Sequence, residues 1–182
     1  MLVTLTHSEM LRLWRAAAGL EPMRADCTVE RVEGIDANAM IEPRMRTWYL
    51  RLLDTADPAL LPTADVRDEI VLSPCREHAA ATAVLPERAR RLLELRLTGW
   101  LNPARPCLPP EERLRGLLAR NPYCAPGAVH PVCCVAGRRL HVAPFEAGDI
   151  VDVAIAVVDE GPDSYTLDES ILSEIPDIFS HL

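Results

Sequence analysis

The stretch Arg91-Leu92-Leu93-Glu94-Leu95-Arg96-Leu97-Thr98 carries the clearest periodic signal in this chain. Leucines at 93, 95 and 97 alternate with charged side chains, and a period of two residues is typical of a β-strand with one buried face. Gly99-Trp100 follows directly and ends the run. We therefore expect a strand over about 91–98, with Leu93, Leu95 and Leu97 on its core face.

Apolar runs of the same period lie on both sides of this strand. They predict further short strands at 70–72, at 81–85, at 132–135 and 140–142 as a hairpin around Ala136-Gly137-Arg138, and at 150–158. The last strand should face the core with Val151, Val153, Ile155 and Val157. Because these strands follow one another through short connections, an antiparallel sheet or sandwich is favoured over a βαβ fold.

The amino-terminal part of the chain has helical periodicity instead. Thr6-x-x-Glu9 is a capping-box pattern and predicts a helix over about 6–19. A second helix should end near Asp54. It begins after Asp36 as its N-cap, or after Pro43 if that proline lies in the first turn. Its apolar stripe consists of Met45, Trp48, Tyr49, Leu52 and Leu53.

A third helix is expected near 109–120, where prolines and acids open the segment and arginine closes it. The predicted fold is therefore α+β: two amino-terminal helices packed on an antiparallel β-sheet or sandwich, with one inserted helix. Trp48 and Leu95 should be buried on facing elements. The length fits a single domain over 1–182, with a helical part of about 1–60, a β-rich part of about 66–160 and an acidic tail of about 161–182.

Composition excludes several classes of function. The formal net charge is -8 and lysine is absent, so non-specific nucleic-acid binding, which needs a cationic surface, is disfavoured. The amino terminus lacks the pattern of a secretory signal, and no run approaches the roughly 20 apolar residues of a membrane helix. The few scattered glycines form no Walker loop, dinucleotide fingerprint or Gly-x-Ser-x-Gly elbow. We expect a cytoplasmic protein without a cofactor.

Two groups of side chains have the composition of a reactive or metal-binding site. A thiol and a base are close in the sequence at Cys75, Glu77 and His78, but adjacent positions in a turn do not guarantee contact between them. Five possible zinc ligands lie within eighteen residues, at Cys124, His130, Cys133, Cys134 and His141. Their spacing gives no familiar zinc pair, and neighbours in a strand point to opposite faces. We expect reduced thiols, no metal and no catalytic residue.

Charge divides the chain into a basic middle and an acidic end. Residues 86–145 hold ten arginines and four acids, a balance of +6, whereas 146–182 hold ten acids and no arginine. One interpretation is that the two parts neutralise each other within a monomer or are simply solvated. The alternative is a contact in which the acidic end of one subunit meets the basic middle of the next.

Three short motifs lie between residues 43 and 158. They are Arg46-x-Trp48-Tyr49-Leu50-x-Leu52-Leu53-Asp54, Gly99-Trp100, and Asn121-Pro122-Tyr123-x-x-Pro126-x-x-x-x-Pro131-Val132. Together they resemble the ring or head–tail connector proteins in the neck of tailed bacteriophages. The resemblance implies a non-enzymatic subunit, encoded by a phage or prophage, that joins copies of itself and neighbouring virion proteins into a ring around the DNA channel.

We therefore predict a structural or interaction protein rather than an enzyme. The expected interaction residues are Arg113, Arg115, Asn121 and Tyr123. The expected partners are further copies in a homo-oligomeric ring and other virion proteins, with no sequence-specific nucleic acid and no membrane. A phage-encoded chain would be located in the virion. The alternatives are a small-molecule-binding or thiol-dependent enzyme domain and a regulatory protein-binding module.

Overall fold

The computed structural model describes residues 1–20, 37–75, 79–106, 125–173 and 175. Its elements are helices and antiparallel strands, which confirms the predicted α+β class. The chain divides into two compact units. Unit 1 comprises Met1–Pro62 and Asp159–Leu182, and unit 2 comprises Thr63–Val158. The predicted single domain over 1–182 stays a prediction.

The helices and strands have the following bounds. In chain order they are β1 (Leu2–Thr6), α1 (His7–Ala17), α2 (Ala37–Thr55), β2 (Thr63–Asp65), β3 (Ser73–Pro74), β4 (Ala81–Val84), β5 (Ala89–Leu97), β6 (Val132–Ala136), β7 (Arg139–Ala143), β8 (Val151–Val158), β9 (Ser164–Asp168) and α3 (Glu169–Leu172). Single 3₁₀ turns occupy Pro58–Leu60 and Arg67–Glu69. The predicted helix at 109–120 lies outside the described residues.

Unit 1 begins with a strand that runs directly into a capped helix. The Thr6 side chain accepts a hydrogen bond from the Glu9 N–H at 3.3 Å, and the Glu9 carboxylate accepts one from the Thr6 N–H at 2.9 Å. This is the predicted capping box, and it fixes the start of α1 because it satisfies two donors that a helix leaves open. Met10 and Trp14 form the buried face of α1.

Helix α2 begins at Ala37, so Pro43 lies inside it and not in its first turn. Met45, Tyr49 and Leu53 are buried at a spacing of four residues, as expected for one face of a helix. Trp48 was predicted to be buried but is only half-buried. Its ring packs edge-on against Trp14, with ring centroids 5.7 Å apart. The fully buried aromatic residue of this helix is its neighbour, Tyr49.

Antiparallel pairing continues at the end of the chain, where β9 pairs with β1 in a two-stranded sheet. The Asp168 side chain accepts a hydrogen bond from the Ser170 N–H at 3.0 Å and so caps α3. No strand or helix was predicted for this acidic segment. The polar residues of this segment gave no alternating apolar pattern, although the central three residues of β9, Tyr165 to Leu167, are buried.

Unit 2 contains a three-stranded sheet in the order β2-β8-β5 and a four-stranded sheet in the order β3-β4-β7-β6. Every strand pair is antiparallel, as predicted. The β6–β7 hairpin is confirmed, and its turn has a positive φ of 62° at Gly137, where a side chain would be strained. One apolar cluster takes side chains from both sheets, Leu95 and Leu140 among them.

The register of β5 differs from the simple alternation in its sequence. Pairing with β8 shifts between Leu92 and Glu94, a β-bulge or similar irregularity. A bulge moves the side chains that follow it relative to those before it. Leu92, Leu95 and Leu97 are therefore buried, whereas Leu93, predicted to face the core, is half-buried.

Strand β8 buries a different face from the predicted one. Ala154, Ala156 and Val158 belong to the core cluster of unit 2. Of the predicted core residues, only Val157 is buried, and Val151, Val153 and Ile155 are half-buried. Both faces of this central strand are apolar, so the period of two residues could not indicate which one meets the core.

The strand predicted at 70–72 is absent from that position. The chain instead forms the 3₁₀ turn Arg67–Glu69, which opens with a hydrogen bond from the Arg67 N–H to the Asp65 carboxylate at 3.0 Å. Aspartate commonly starts a turn in this way. The next strand, β3, begins at Ser73. Across the described residues, no helix combines the length and the apolarity needed to cross a bilayer.

Candidate functional site

Arg46 of α2 is the centre of a polar group in unit 1 that we call the Arg46 cluster, made of Arg46, Tyr49, Asp159, Glu160, Tyr165 and Thr166. The Arg46 guanidinium forms an ion pair with the Asp159 carboxylate and donates a hydrogen bond to the Gly161 carbonyl at 3.0 Å. The side chains of Arg46 and Asp159 are only 24% and 15% exposed. The guanidinium also lies 5.7 Å from the centre of the Tyr49 ring and 5.8 Å from that of Tyr165, within cation–π range.

The Tyr49 hydroxyl makes two hydrogen bonds to one residue of β9. It donates to the Thr166 carbonyl at 3.1 Å and accepts from the Thr166 N–H at 3.0 Å. Burial raises the pKa of Tyr49 to about 12, and the nearby Asp159 and Glu160 carboxylates act in the same direction. The phenol is therefore protonated at neutral pH and able to make both bonds.

The side chain of Thr166 extends the cluster to Glu160 and to β1. Its hydroxyl donates to the Glu160 carboxylate at 2.7 Å and lies 2.9 Å from the Thr4 hydroxyl on β1. The same Glu160 oxygen accepts a hydrogen bond from the Ser164 hydroxyl at 3.1 Å. Thr166 is thus fixed by its backbone on one side and by its side chain on the other.

A second aromatic residue connects the cluster to α1. The Tyr165 hydroxyl lies 3.5 Å from His7 Nδ1, and His7 Nε2 lies 3.7 Å from the Glu42 carboxylate. Burial raises the pKa of Tyr165 as well. Both phenols are therefore protonated near neutral pH, and neither serves as a base there.

The arrangement of the Arg46 cluster suits a structural role. Asp159 accepts hydrogen bonds from Arg46 and from the Gly161 N–H at 3.1 Å, and Glu160 accepts from two hydroxyl groups. The cluster connects α2 to 159–166, more than a hundred residues later in the chain.

Unit 2 carries a different kind of candidate site, which we call the apolar end. It consists of three large apolar side chains that are exposed to solvent: Leu101 at 72%, Val129 at 47% and Ile150 at 64%. Backbone hydrogen bonds hold their segments together. The Leu101 N–H donates to the Ala128 carbonyl at 2.9 Å, and the Thr98 N–H donates to the Ile150 carbonyl at 3.1 Å.

The Gly99-Trp100 motif is the anchor of the apolar end. Trp100 is buried, and its indole N–H donates to the Pro144 carbonyl at 2.8 Å. A Cβ atom at position 99 would lie 2.7 Å from an Asp149 carboxylate oxygen, so any side chain there would require the Asp149 side chain to move. The buried tryptophan and the close contact together fix a turn that presents Leu101 to solvent.

Several residues singled out from the sequence lie outside the described residues. These are all four predicted interaction residues, Arg113, Arg115, Asn121 and Tyr123, together with Glu77, His78 and Cys124. Cys75 is half-buried, and its N–H donates to the Ala80 carbonyl at 2.9 Å. Within the described part of the chain, no group of three or more His, Cys, Asp or Glu side chains is placed to hold a metal ion, and Cys133 and Cys134 are both buried.

The charges of the acidic end are partly neutralised within the chain. Arg96 of the basic middle donates to the Asp152 carboxylate at 2.8 Å, across the β5–β8 pair. Asp159 pairs with Arg46, which lies outside the basic middle, and Asp168 pairs with the amino-terminal ammonium group at 2.6 Å. The Arg96–Asp152 pair thus joins the basic middle to the acidic end, as the monomer interpretation expects, whereas Asp159 and Asp168 are neutralised by groups outside the basic middle. A contact between subunits through Arg113 and Arg115 stays a prediction, because both arginines lie outside the described residues.

Neither the Arg46 cluster nor the apolar end was predicted from the sequence. Arg46 and Tyr49 were noted for their place on a helix and in a motif that resembles connector proteins, but the residues that they contact in the cluster are far away in the sequence. The apolar end left a weak signal, since Leu101 follows a strand end and Ile150 precedes a strand. A comparison with protein-family models and with curated proteins finds no match to this chain.

Proposed function

We propose that this chain is a non-enzymatic structural or interaction protein that assembles with other proteins. In its specific form the proposal is a head–tail connector-like subunit of a phage or prophage neck, located in the virion or in the cytoplasm before assembly. The proposal includes two amino-terminal helices packed on one antiparallel sheet or sandwich, with an inserted helix at 109–120.

The apolar end is the observation that supports an interaction role. Leu101, Val129 and Ile150 expose apolar surface on a turn that the buried Trp100 anchors. Exposed apolar groups that lie together commonly mark a protein interface. A rigid support lowers the entropy lost when such a surface binds, which favours a role in assembly.

Polar substitution of the apolar end tests this role. We expect the double variant Leu101→Ser, Ile150→Ser to lose self-association, or co-sedimentation with the products of adjacent virion genes, while it keeps its melting temperature. The matched control is Val71→Ser, Val84→Ser, because these valines are also strongly exposed in unit 2, at 76% and 62%. Surface changes of this kind usually alter stability by no more than about 0.5 kcal/mol.

Sedimentation velocity on the wild type and both variants gives the result. Loss of association in the first variant alone supports the interface. Equal behaviour of both variants, or a wild type that binds neither itself nor those gene products, contradicts it. Portal, capsid or tail genes beside this gene would support the phage part of the proposal, and their absence would weaken that part alone.

A further inference from the structure

The two-stranded sheet of unit 1 has two outer edges that differ in how their backbone groups are satisfied. The Met1 carbonyl accepts from the Glu169 N–H at 3.1 Å, and the His7 N–H donates to the Asp163 carbonyl at 3.0 Å. Odd-numbered residues of β1 therefore point their backbone groups toward β9. Since the direction alternates along a strand, Leu2, Thr4 and Thr6 point theirs away from β9.

The edge of β9 is closed. Thr166, opposite Thr4 in the register, points its N–H and carbonyl away from β1, and the Tyr49 hydroxyl binds both. A single phenol oxygen thus occupies the place that a neighbouring strand would take. Strand addition on this side would have to displace Tyr49.

The edge of β1 is open over three residues. The Thr6 N–H is bound by the Glu9 carboxylate, and there the helix begins. Among the described residues, none forms a hydrogen bond with the outward N–H and carbonyl groups of Leu2 and Thr4. Two donors and two acceptors therefore face outward from Leu2-Val3-Thr4.

The sequence of β1 carries none of the usual protection of an edge strand. Proteins commonly place a charge, a proline or a bulge where a strand edge is exposed. Leu2-Val3-Thr4-Leu5-Thr6 contains no charge and no proline, and its register with β9 is regular. Val3 and Leu5, next to the buried Leu167 and Tyr165 in the register, remain half-buried. An added strand would cover them.

We propose that the open edge of β1 pairs with the same edge of a second copy of this chain, antiparallel and with the two Val3 residues opposite each other. In this register Leu2 of each copy faces Thr4 of the other. All four outward groups of each copy are then satisfied, by four hydrogen bonds in total. The inference does not depend on the proposed function.

Symmetry favours a second copy over another strand. The open groups are arranged symmetrically about Val3, so one edge is complementary to itself when reversed, as a two-fold dimer requires. The side chains along this edge, Leu2, Val3 and Thr4, are uncharged, so pairing of two copies places no like charges opposite each other.

Proline at position 4 tests the hydrogen bonds. Thr4→Pro removes an outward N–H but no bond to β9, and proline is tolerated at the solvent side of an edge strand. Thr4→Val is the matched control, because it also loses the hydroxyl contact with Thr166 but keeps the N–H. Leu101→Ser and Ile150→Ser are introduced into every chain so that the apolar end does not contribute to association. In sedimentation velocity of these chains we expect dimers with Thr4 and with T4V as concentration rises, and monomers with T4P.

Cysteine cross-linking tests the register and also decides the case in which T4P does not fold. Directly opposite residues in such a pair have Cα atoms about 4.5 Å apart, within disulfide range. Under oxidation, Val3→Cys should give a disulfide between two copies of the amino-terminal peptide. Leu5→Cys should not, since its two copies would be offset by about 13 Å along the strands.

Two results would overturn the proposal. One is equal association of folded T4P and T4V, together with no cross-link at position 3. The other is a wild type that is monomeric at every concentration tested, which would leave the edge to an extended segment of another protein.

Discussion

The two compact units hold their elements together by different means. In unit 1, Arg46 and Tyr49 bind the backbone and side chains of 159–166 through directional polar contacts. In unit 2, apolar side chains from two sheets share one core cluster. A polar contact fails when one atom is lost, because its partner is left unsatisfied, whereas apolar burial responds to lost volume. The stability of unit 1 should thus depend on individual polar atoms, and the stability of unit 2 on the volume of its buried side chains.

The largest effect should come from the core of unit 2. We expect Leu95→Ala to lower the free energy of unfolding by about 2 to 5 kcal/mol, because the side chain is fully buried and its removal leaves a cavity. Leu101→Ala, a change of the same size at an exposed position, should alter it by no more than about 0.5 kcal/mol. Urea unfolding of both variants measures the difference. Similar losses of unfolding free energy in the two variants would show that Leu95 is not part of the core of unit 2.

The next largest effect should come from loss of the Tyr49 hydroxyl oxygen in unit 1. Tyr49→Phe keeps the ring but leaves the buried N–H and carbonyl of Thr166 unsatisfied, which should cost about 1 to 3 kcal/mol. Tyr165→Phe serves as the control, since its hydroxyl contacts the side chains of His7, at 3.5 Å, and Arg46 and does not bind both backbone groups of one buried residue. Thermal unfolding followed in the near ultraviolet should show the larger drop for Y49F. An equal or larger drop for Y165F would contradict the polar account of unit 1.

Alkaline pH should weaken unit 1 through the same hydroxyl. Burial raises the pKa of Tyr49 from 10.0 in an exposed state to about 12, so the neutral phenol is favoured in the folded chain. Its contribution to stability is complete below pH 10 and is lost as the pH rises toward about 12. Unfolding curves across this range should fall more steeply for the wild type than for Y49F. Parallel curves would show that Tyr49 does not control the transition.

The smallest effect concerns an exposed pair in unit 1. The amino-terminal ammonium and the Ser170 groups lower the pKa of Asp168 below its ordinary value of 3.8. The carboxylate therefore adds stability above that pH and loses it as the pH falls through the lowered pKa. In acid titrations of the free energy of unfolding, Asp168→Asn should remove part of the pH dependence seen in the wild type. A pH dependence that this variant leaves intact would contradict the role of the pair. The pair is exposed, so added salt should reduce the difference.

Sequence periodicity predicted the elements better than it predicted their faces. The capping box of α1, the extent of α2, the β6–β7 hairpin and the strands near Leu95 and Ala154 are confirmed. On β5, Leu95 and Leu97 are buried as predicted but Leu93 is not, and on β8 only Val157 of the four predicted core residues is buried. A register shift and a strand that is apolar on both sides are tertiary properties, which the local pattern does not contain. Local patterns reveal a strand but not the partner that selects its core face.

The candidate sites were harder to predict for a related reason. Arg46 and Tyr49 lie more than a hundred residues before the segment 159–166 that they contact, and no spacing within the sequence indicates that contact. Strand β9 was missed because threonine, serine and aspartate hid its buried centre at Tyr165. A capping box, by contrast, lies within four residues, and so Thr6 and Glu9 were found at once.

The hydroxyl of Tyr49 also sets a limit on how far the small sheet can grow. Addition of a second copy at β1 gives a four-stranded sheet in the order β9-β1-β1-β9. Both of its outer edges then carry a Tyr49 oxygen bound to Thr166, and neither edge accepts a fifth strand. Tyr49 thus prevents the addition of further strands. The open edge of β1 can therefore pair with one second copy without the growth of a fibril.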